Sequence, residues 1–507
     1  MKKQIGIWIF LLALLLCTAA CAQEADNARN WYEIFVRSYY DSDGDGVGDL
    51  AGVTNKLDYI EDMGYDGIWL MPVMPSPSYH KYDVTDYMAI DPEYGTMEDM
   101  RALVDACHAR GIKIIIDMVM NHSSSQHPWF TKACDALRAG DTDNPYVDYY
   151  CFTQKEGQKM VPVAGTDWYY EEQFSGGGMP DLNLDSEALF AEFEEIFAFW
   201  LQDVGVDGFR LDAVTSFYAS NVDKNVAFLS KVNDLAESIR PGCYLVGEAW
   251  VGLTEIARYY QSGVDSFFLF PASQAEGYIA RVIRGRSKNA QSYKAYMQDV
   301  LAAIPDGLLA PFLGNHDTGR AVASLQARSK VEKAKFAEGI LNMMGGATFT
   351  YYGEEIGMVG AGDDPNKRLA MYWNDEEMTT QPPGVTKLEY AYPSVDAQLA
   401  DENSLLCYCR ALNHMKLDYP AIARGENEFV YDDDDVLVMK RTWGDKVCYV
   451  AINFNAKSEC TVQLPAQNLE LGSSLSALLP AGTAAASLDG SDLVISPYTI
   501  AVLLPGA

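Results

Sequence analysis

After residue 16 no stretch runs through the roughly 18 uninterrupted apolar residues that a membrane-spanning helix needs, so no later span is expected. Positive charge is scarce. The 38 Lys and Arg stand against 71 Asp and Glu, a net charge of −33, which argues against binding along a nucleic-acid phosphate backbone. No two cysteines form a C-x-x-C pair, which argues against a zinc or redox motif. Internal repeats and low-complexity linkers are also absent. What is present is 507 residues, too many for one ordinary core, with 49% hydrophobic and only 21% charged positions. Such a balance excludes a largely disordered chain and predicts a barrel-sized domain with additions. Aromatic residues make up 12%, including 31 Tyr and 9 Trp, as suits a large core or a sugar-binding cleft.

The N-terminus reads as an export signal. Lys2 and Lys3 precede an apolar run from Ile5 to Leu16, too short to cross a bilayer comfortably. Thr18-Ala19-Ala20-Cys21 then resembles a bacterial lipobox, with Thr18 where Leu is usual, and Cys21 is the expected lipidation site. Plain secretion with cleavage nearby is the alternative, and either outcome places the mature protein outside the cytoplasm. Eight cysteines lie beyond this leader. Cys134 with Cys151, and Cys448 with Cys460, suit local disulfides or buried free thiols, and both readings stay open.

Short apolar runs, each followed by a helical stretch, recur at Trp31–Val36, Gly67–Leu70, Ile112–Asp117 and Val206–Asp212. They continue at Tyr244–Glu248, Val264–Phe268, Leu309–Leu313 and Thr348–Tyr352. Eight βα units in this order predict an α/β fold built on a closed (β/α)8 TIM barrel. Nearly ninety residues separate Asp117 from Val206, too many for a structureless loop, so a small inserted domain is expected after the third strand. Beyond about Tyr419 the runs Val436–Thr442, Lys446–Asn453 and Tyr498–Leu504 predict a C-terminal antiparallel β domain. The expected division is a leader over 1–21, the barrel over 28–120 and 183–419, the insert over 121–182 and the C-terminal domain over 420–507.

In a parallel barrel the active site lies at the carboxyl ends of the strands, so the polar residues there carry the chemistry. The fourth strand ends Gly208-Phe209-Arg210-Leu211-Asp212, and alternation points Arg210 and Asp212 to the same side, into the barrel mouth. A guanidinium beside a carboxylate holds it ionised, as a nucleophile requires. The fifth ends Val246-Gly247-Glu248-Ala249-Trp250, and a Glu leaving an apolar strand beside a Trp suits proton donation. Asn315-His316-Asp317 follows the seventh strand, and Asp117 with Asn121-His122 ends the third.

Together, Asp117-Met118-Val119-Met120-Asn121-His122, Gly208-Phe209-Arg210-Leu211-Asp212, Gly247-Glu248-Ala249-Trp250 and Asn315-His316-Asp317 resemble the α-amylase family of glycoside hydrolases, in its order, across Asn30 to about Tyr419. The resemblance implies a retaining double displacement. Asp212 is then the nucleophile, Glu248 the acid and base, and Asp317 the group that holds the sugar hydroxyls near the transition state. It further implies that Arg210 keeps Asp212 charged, that His122 and His316 bind the sugar at the cleavage point, that Tyr82 stacks on it and that His80 bonds its 6-hydroxyl. Asp117 is read either as part of this substrate-binding set or as a structural partner of Arg210. Trp250 is expected to pack beside Glu248, while Trp168 and Tyr169 are left between lining the cleft and packing.

Asp41-Ser42-Asp43-Gly44-Asp45-Gly46-Val47-Gly48-Asp49 reproduces the first part of a calcium loop, with acidic residues at positions 1, 3, 5 and 9 and Gly at 6. Gly52 stands where the closing Glu of an EF-hand belongs. A similar loop in the oligo-1,6-glucosidase and neopullulanase branches implies one structural Ca²⁺ held by the Asp side chains of Asp41, Asp43, Asp45 and Asp49 and the Val47 carbonyl. Thr215-Ser216 replaces the Lys-His that many α-amylases use at a second calcium site. Met179-Pro180-Asp181-Leu182-Asn183 resembles a form intermediate between those two branches. Arg368-Leu369-Ala370 only partly matches the first of them, where Pro is usual at Ala370. The expectation is an extracytoplasmic α-amylase on α-1,4-glucan, working as a monomer, bound to a membrane only through a lipid anchor and without nucleic-acid partners. A neopullulanase, α-glucosidase or glucanotransferase is the nearer alternative. A catalytically dead glycan-binding barrel is the remote one, and the presence of Asp212 and Glu248 speaks against it.

Overall fold

Strands rich in Ile, Val and aromatic residues pair in parallel in the order of the chain. A computed structural model describes residues 26–174, 176–219, 221–285, 290–463, 477–478, 486–489 and 492–504, so the leader with Cys21 lies outside the described residues. Asn30–Ile34 sits between Thr348–Tyr351 and Gly67–Leu70, followed by Lys113–Met118, Gly208–Leu211, Tyr244–Gly247 and Ser266–Phe267. Residues 309–313 complete the ring through isolated parallel bridges, Phe268 to Ala310 and Phe312 to Phe349. This seventh segment does not form the continuous strand expected from its apolar run. Pro311 has no N–H to give a ladder, although its carbonyl still accepts from Phe349 at 3.0 Å.

Side-chain alternation sorts each strand into an outer and an inner set. Trp31, Trp69, Ile115, Tyr244, Val246, Phe268, Phe312 and Phe349 fill the barrel interior as one apolar plug, with Trp31 stacked on Tyr244 at 4.9 Å. The same inward rows continue upward into Glu33, Asp117, Arg210 with Asp212, and Glu248. The fourth strand approaches its neighbour so closely that a Cβ on Gly208 would lie 1.9 Å from the Tyr244 carbonyl oxygen, and its φ of 151° also favours glycine.

Helices cover the outside by amphipathic packing. Met97–Ala109 is typical. Thr96 and Asp99 form a capping box at its start, and Met100, Leu103, Val104 and Cys107 face the core. The insert after the third strand holds the helix Pro128–Ala139 and a small antiparallel sheet of Phe152–Thr153, Tyr169–Glu171 and Met160–Pro162. Bridges from His122 to Asp181 and from Tyr150 to Leu182 tie its parts together, drawing its two ends to one place. After a short helix, Ala421–Arg424, the C-terminal domain begins at Glu426 and pairs its strands antiparallel, as predicted. Its strand Val436–Trp443 splits its two faces. Val436 and Val438 enter the domain's own core, while Leu437 and Met439 join the core of the barrel. The eight described cysteines are all free thiols, so the open choice between disulfides and thiols falls to thiols. Among the described residues no helix is long and apolar enough to cross a membrane.

Candidate active site

The inward rows of the strands converge on one guanidinium. Arg210 is fully buried, and its Nη1 donates to Asp117 Oδ1 at 2.7 Å and to Asp212 Oδ1 at 2.6 Å. Its Nη2 lies 3.0 Å from Glu248 Oε2, which also accepts from the backbone N–H of Ala213 at 3.0 Å. Three largely buried carboxyl groups therefore share one positive charge. Burial pushes Glu248 up to about 7, with Arg210 opposing the rise and the negative charges of Asp212 and Asp317 adding to it. Burial likewise raises Asp117 to about 6 against the pull of Arg210.

A cavity of about 410 Å³ opens over this centre, lined among others by His80, Tyr82, His122, Asp212, Glu248 and Asp317. These six sequence-predicted residues thus come to one surface. Burial lowers both His80 and His122 against the opposing charge of Asp83 or Asp212, so each ring faces the cleft in its neutral form at neutral pH. Among the described residues the buried His122 Nε2 has no hydrogen-bond partner. Asp317 is gripped from two sides, by Arg368 Nη2 at 2.9 Å and by His316 Nε2 at 3.0 Å. Burial would raise it, but the charge and hydrogen bond of His316, then Arg368 and Arg210, hold it well below the usual carboxylate range.

Three residues of the predicted substrate-binding set stand behind the wall instead of on it. Asp117, Arg210 and His316 are each completely buried and do not line the cavity. Asp117 spends its oxygens on Arg210, on Tyr82 Oη at 3.1 Å and on Trp69 Nε1 at 3.3 Å. Both ring nitrogens of His316 point to protein groups. In this structure the three contact the lining residues Tyr82, Asp212, Glu248 and Asp317. Trp250 departs in the other direction. It is 48% exposed, stacks one face on Phe270 at 4.7 Å and lines the cavity with the rest. Trp168 packs against the core and is not a cavity residue.

Sequence reasoning also missed contributors. Arg368, Asp364, Phe174 and Met179 line the cleft, and Glu33 bonds His316. In the sequence Arg368 and Met179 stand out only as subgroup markers. Nothing local flags Phe174 or Glu33, whose neighbours come from distant segments.

In the acidic loop, ligand atoms of Asp41, Asp43 and Asp49 come within 4.8 Å of one another, close enough to share a cation. The Asp45 carboxylate is not part of that group and accepts from the Val47 N–H at 2.7 Å. Asp41 accepts from the backbone N–H of Gly44 and of Gly46, each at 2.7 Å.

A (β/α)8 barrel carrying this paired-carboxyl cleft over its strand ends defines the chain as a barrel glycoside hydrolase. Residues 33–425 match the α-amylase catalytic domain and residues 425–500 the α-amylase C-terminal domain. The chain belongs to the α-amylase family, and its substrate is accordingly an oligo- or polysaccharide. It is 36% identical over 434 residues to α-amylase 3 of Dictyoglomus thermophilum, covering 84% of each chain. It is 29% identical to an oligo-1,6-glucosidase of Parageobacillus thermoglucosidasius, covering 84% of this chain and 90% of that one. Among solved structures, Amy13B of Eubacterium rectale superposes with a TM-score of 0.89 at 39% identity, over 95% of this chain and 96% of that one. An α-amylase from H. orenii superposes at 0.82 with 34% identity, over 95% of this chain and all of that one.

Proposed function

We propose that the chain is an endo-acting α-amylase that hydrolyses internal α-1,4 bonds of starch and maltooligosaccharides with retention, outside the cytoplasm. The observation that carries this reading is the pairing of Asp212 and Glu248 on neighbouring nitrogens of Arg210 beneath an open cleft. Retention by double displacement needs two carboxyls about 5–5.5 Å apart. Asp212 attacks the anomeric carbon while Glu248, protonated up to about pH 7, gives its proton to the leaving oxygen. Glu248, now ionised, takes a proton from the water that releases the glycosyl ester. Asp317 accepts hydrogen bonds from the sugar hydroxyls, His122 and His80 bond the same ring, and Tyr82 stacks on it.

Two of the relatives above bear the name α-amylase, which favours α-1,4 cleavage, whereas the oligo-1,6-glucosidase likeness keeps a branch-point preference in view. The loop fits one structural Ca²⁺, held by Asp41, Asp43 and Asp49 with backbone carbonyls or water completing the shell; the wider set with Asp45 and Val47 is the sequence expectation. Lipidation at Cys21 and a surface-anchored monomer belong to the same reading and rest on the leader sequence.

The deciding experiment incubates the protein from Ala22 with soluble starch and with pullulan and follows product lengths over time. Early mixed maltooligosaccharides from starch support the reading. Glucose alone would replace it with an exo-glucosidase, dominant pullulan cleavage with a neopullulanase, and products longer than the input with a transferase. An inert protein in the presence of calcium would overturn the enzymatic role. Palmitate labelling of the full chain, lost in Cys21→Ala, checks the anchor.

A further inference from the structure

Glu33 is a carboxylate placed where the apolar plug of the barrel gives way to its polar mouth. It follows Trp31 on the inward row of the first strand, is 1% exposed, and is registered against Tyr351 and Trp69 of the flanking strands. A carboxylate at such a position is costly unless it is hydrogen-bonded and charge-compensated. Its Oε1 lies 2.5 Å from His316 Nδ1 and accepts more weakly, at 3.4 Å, from the His316 backbone N–H.

The hydrogen-bond directions around His316 leave little freedom. Asp117 Oδ2 is an acceptor, so Tyr82 Oη, 3.1 Å away, donates to it. The same Tyr82 oxygen lies 2.7 Å from His316 Nε2 and must therefore accept from it. Asp317 Oδ2, 3.0 Å from Nε2, is a second acceptor on that nitrogen. Nε2 thus carries a proton, and so does Nδ1, because it faces the Glu33 carboxylate. A neutral ring would turn a lone pair toward one of these carboxylates.

We infer that Glu33 is a positioning residue for glycoside cleavage: through His316 it sets Asp317 and Tyr82, which meet the sugar, while never touching the sugar itself. The inference rests on the proposed catalytic reading and deepens it. Without the negative charge at residue 33, His316 keeps one proton instead of two. That proton stays on Nε2, where two acceptors face it, so Asp317 meets a neutral donor in place of a cation and the carboxylate that should hold the sugar hydroxyls is gripped less firmly. The other groups facing the ring bear on its protonation as well. They are Tyr82, Asp117, Arg210 and Glu248 from the mouth, the edge of Trp69 at 5.7 Å, and Arg368, whose Nε donates to the His316 carbonyl at 3.3 Å. Burial opposes the charged ring, but the charges and hydrogen bonds of Asp317 and Glu33 outweigh it and move the ring toward its charged form.

The test compares wild type, Glu33→Gln and Asp212→Asn on maltooligosaccharides, with ring ¹⁵N spectra of histidine-labelled protein assigned through His316→Gln. The expected result is a kcat about 100-fold lower in Glu33→Gln at nearly unchanged KM and a near-native melting temperature. The His316 ring nitrogens should both be protonated through neutral pH in wild type. In Glu33→Gln they should titrate at lower pH, with a matching new alkaline limb in kcat. Wild-type kcat and unchanged ring shifts in Glu33→Gln, with Asp212→Asn inactive, would overturn the inference and leave the catalytic reading standing. An active Asp212→Asn would overturn both. Should Glu33→Gln not fold, the wild-type spectrum alone decides, since a neutral His316 ring at pH 7 contradicts the inference.

Discussion

Two clusters of carboxylates follow the carboxyl ends of barrel strands, and they are built in opposite ways. In the mouth, Asp117, Asp212 and Glu248 gather on Arg210, and Asp317 sits between Arg368 and His316, all with side-chain countercharges supplied by the protein. In the loop after the first strand, Asp41, Asp43 and Asp49 converge with no Lys or Arg pairing to them among the described residues. There, backbone N–H groups of Gly44 and Gly46 orient Asp41, and that of Gly52 holds Asp49 at 2.6 Å. The difference teaches what each cluster is equipped to do. Buried compensation sets which carboxyl holds a proton, as chemistry requires. Backbone orientation fixes geometry and leaves net charge to be met from outside, as a cation loop requires.

The largest test of this contrast is Asp212→Asn, expected to lower kcat by on the order of 10⁴–10⁶-fold without loss of folding, as judged by single-turnover kinetics and thermal melting. Glu248→Gln should cost about 10²–10⁴-fold on starch. A substrate with a good leaving group, such as a glycosyl fluoride, should recover much of the glycosylation rate. In wild type the protonated form of Glu248 is the active one, so kcat/KM should fall as pH rises through about 7. Asp117→Asn sharpens the point, because removing a negative charge beside Arg210 lets that cation lower Glu248. The alkaline limb should move to lower pH, and urea unfolding should show a loss of about 1–3 kcal/mol from the disturbed buried bonds. The smallest effect belongs to the loop. Removing Ca²⁺ with a chelator should lower the melting temperature by a few degrees at roughly constant kcat, and Asp43→Asn should abolish that shift. A large loss of kcat with calcium would erase the distinction between the two clusters.

Much of this arrangement is legible along the chain. Seven of the eight predicted strands appear as such because an apolar, alternating run has few alternatives to a buried strand. The remaining run, the seventh at 309–313, closes the ring only through bridges, since Pro311 interrupts the donor pattern that hydrophobicity does not register. Asp212 and Glu248 are readable because each ends such a run, and alternation aims it. Glu33 ends a strand in the same way, yet a lone acidic residue in an apolar run names no partner.

The sequence by itself determined the parallel barrel, the insert after its third strand, the C-terminal β domain and the carboxylates at the mouth, because periodicity and strand ends are local properties. Only the tertiary structure decided which of those polar residues see the cleft and which hold others in place. Glu33 reaches His316 across 283 residues and Arg368 reaches Asp317 across 51, and folding brings both pairs to the barrel mouth. Protonation and hydrogen-bond direction are set by what stands within a few ångströms in space, and that is a product of folding.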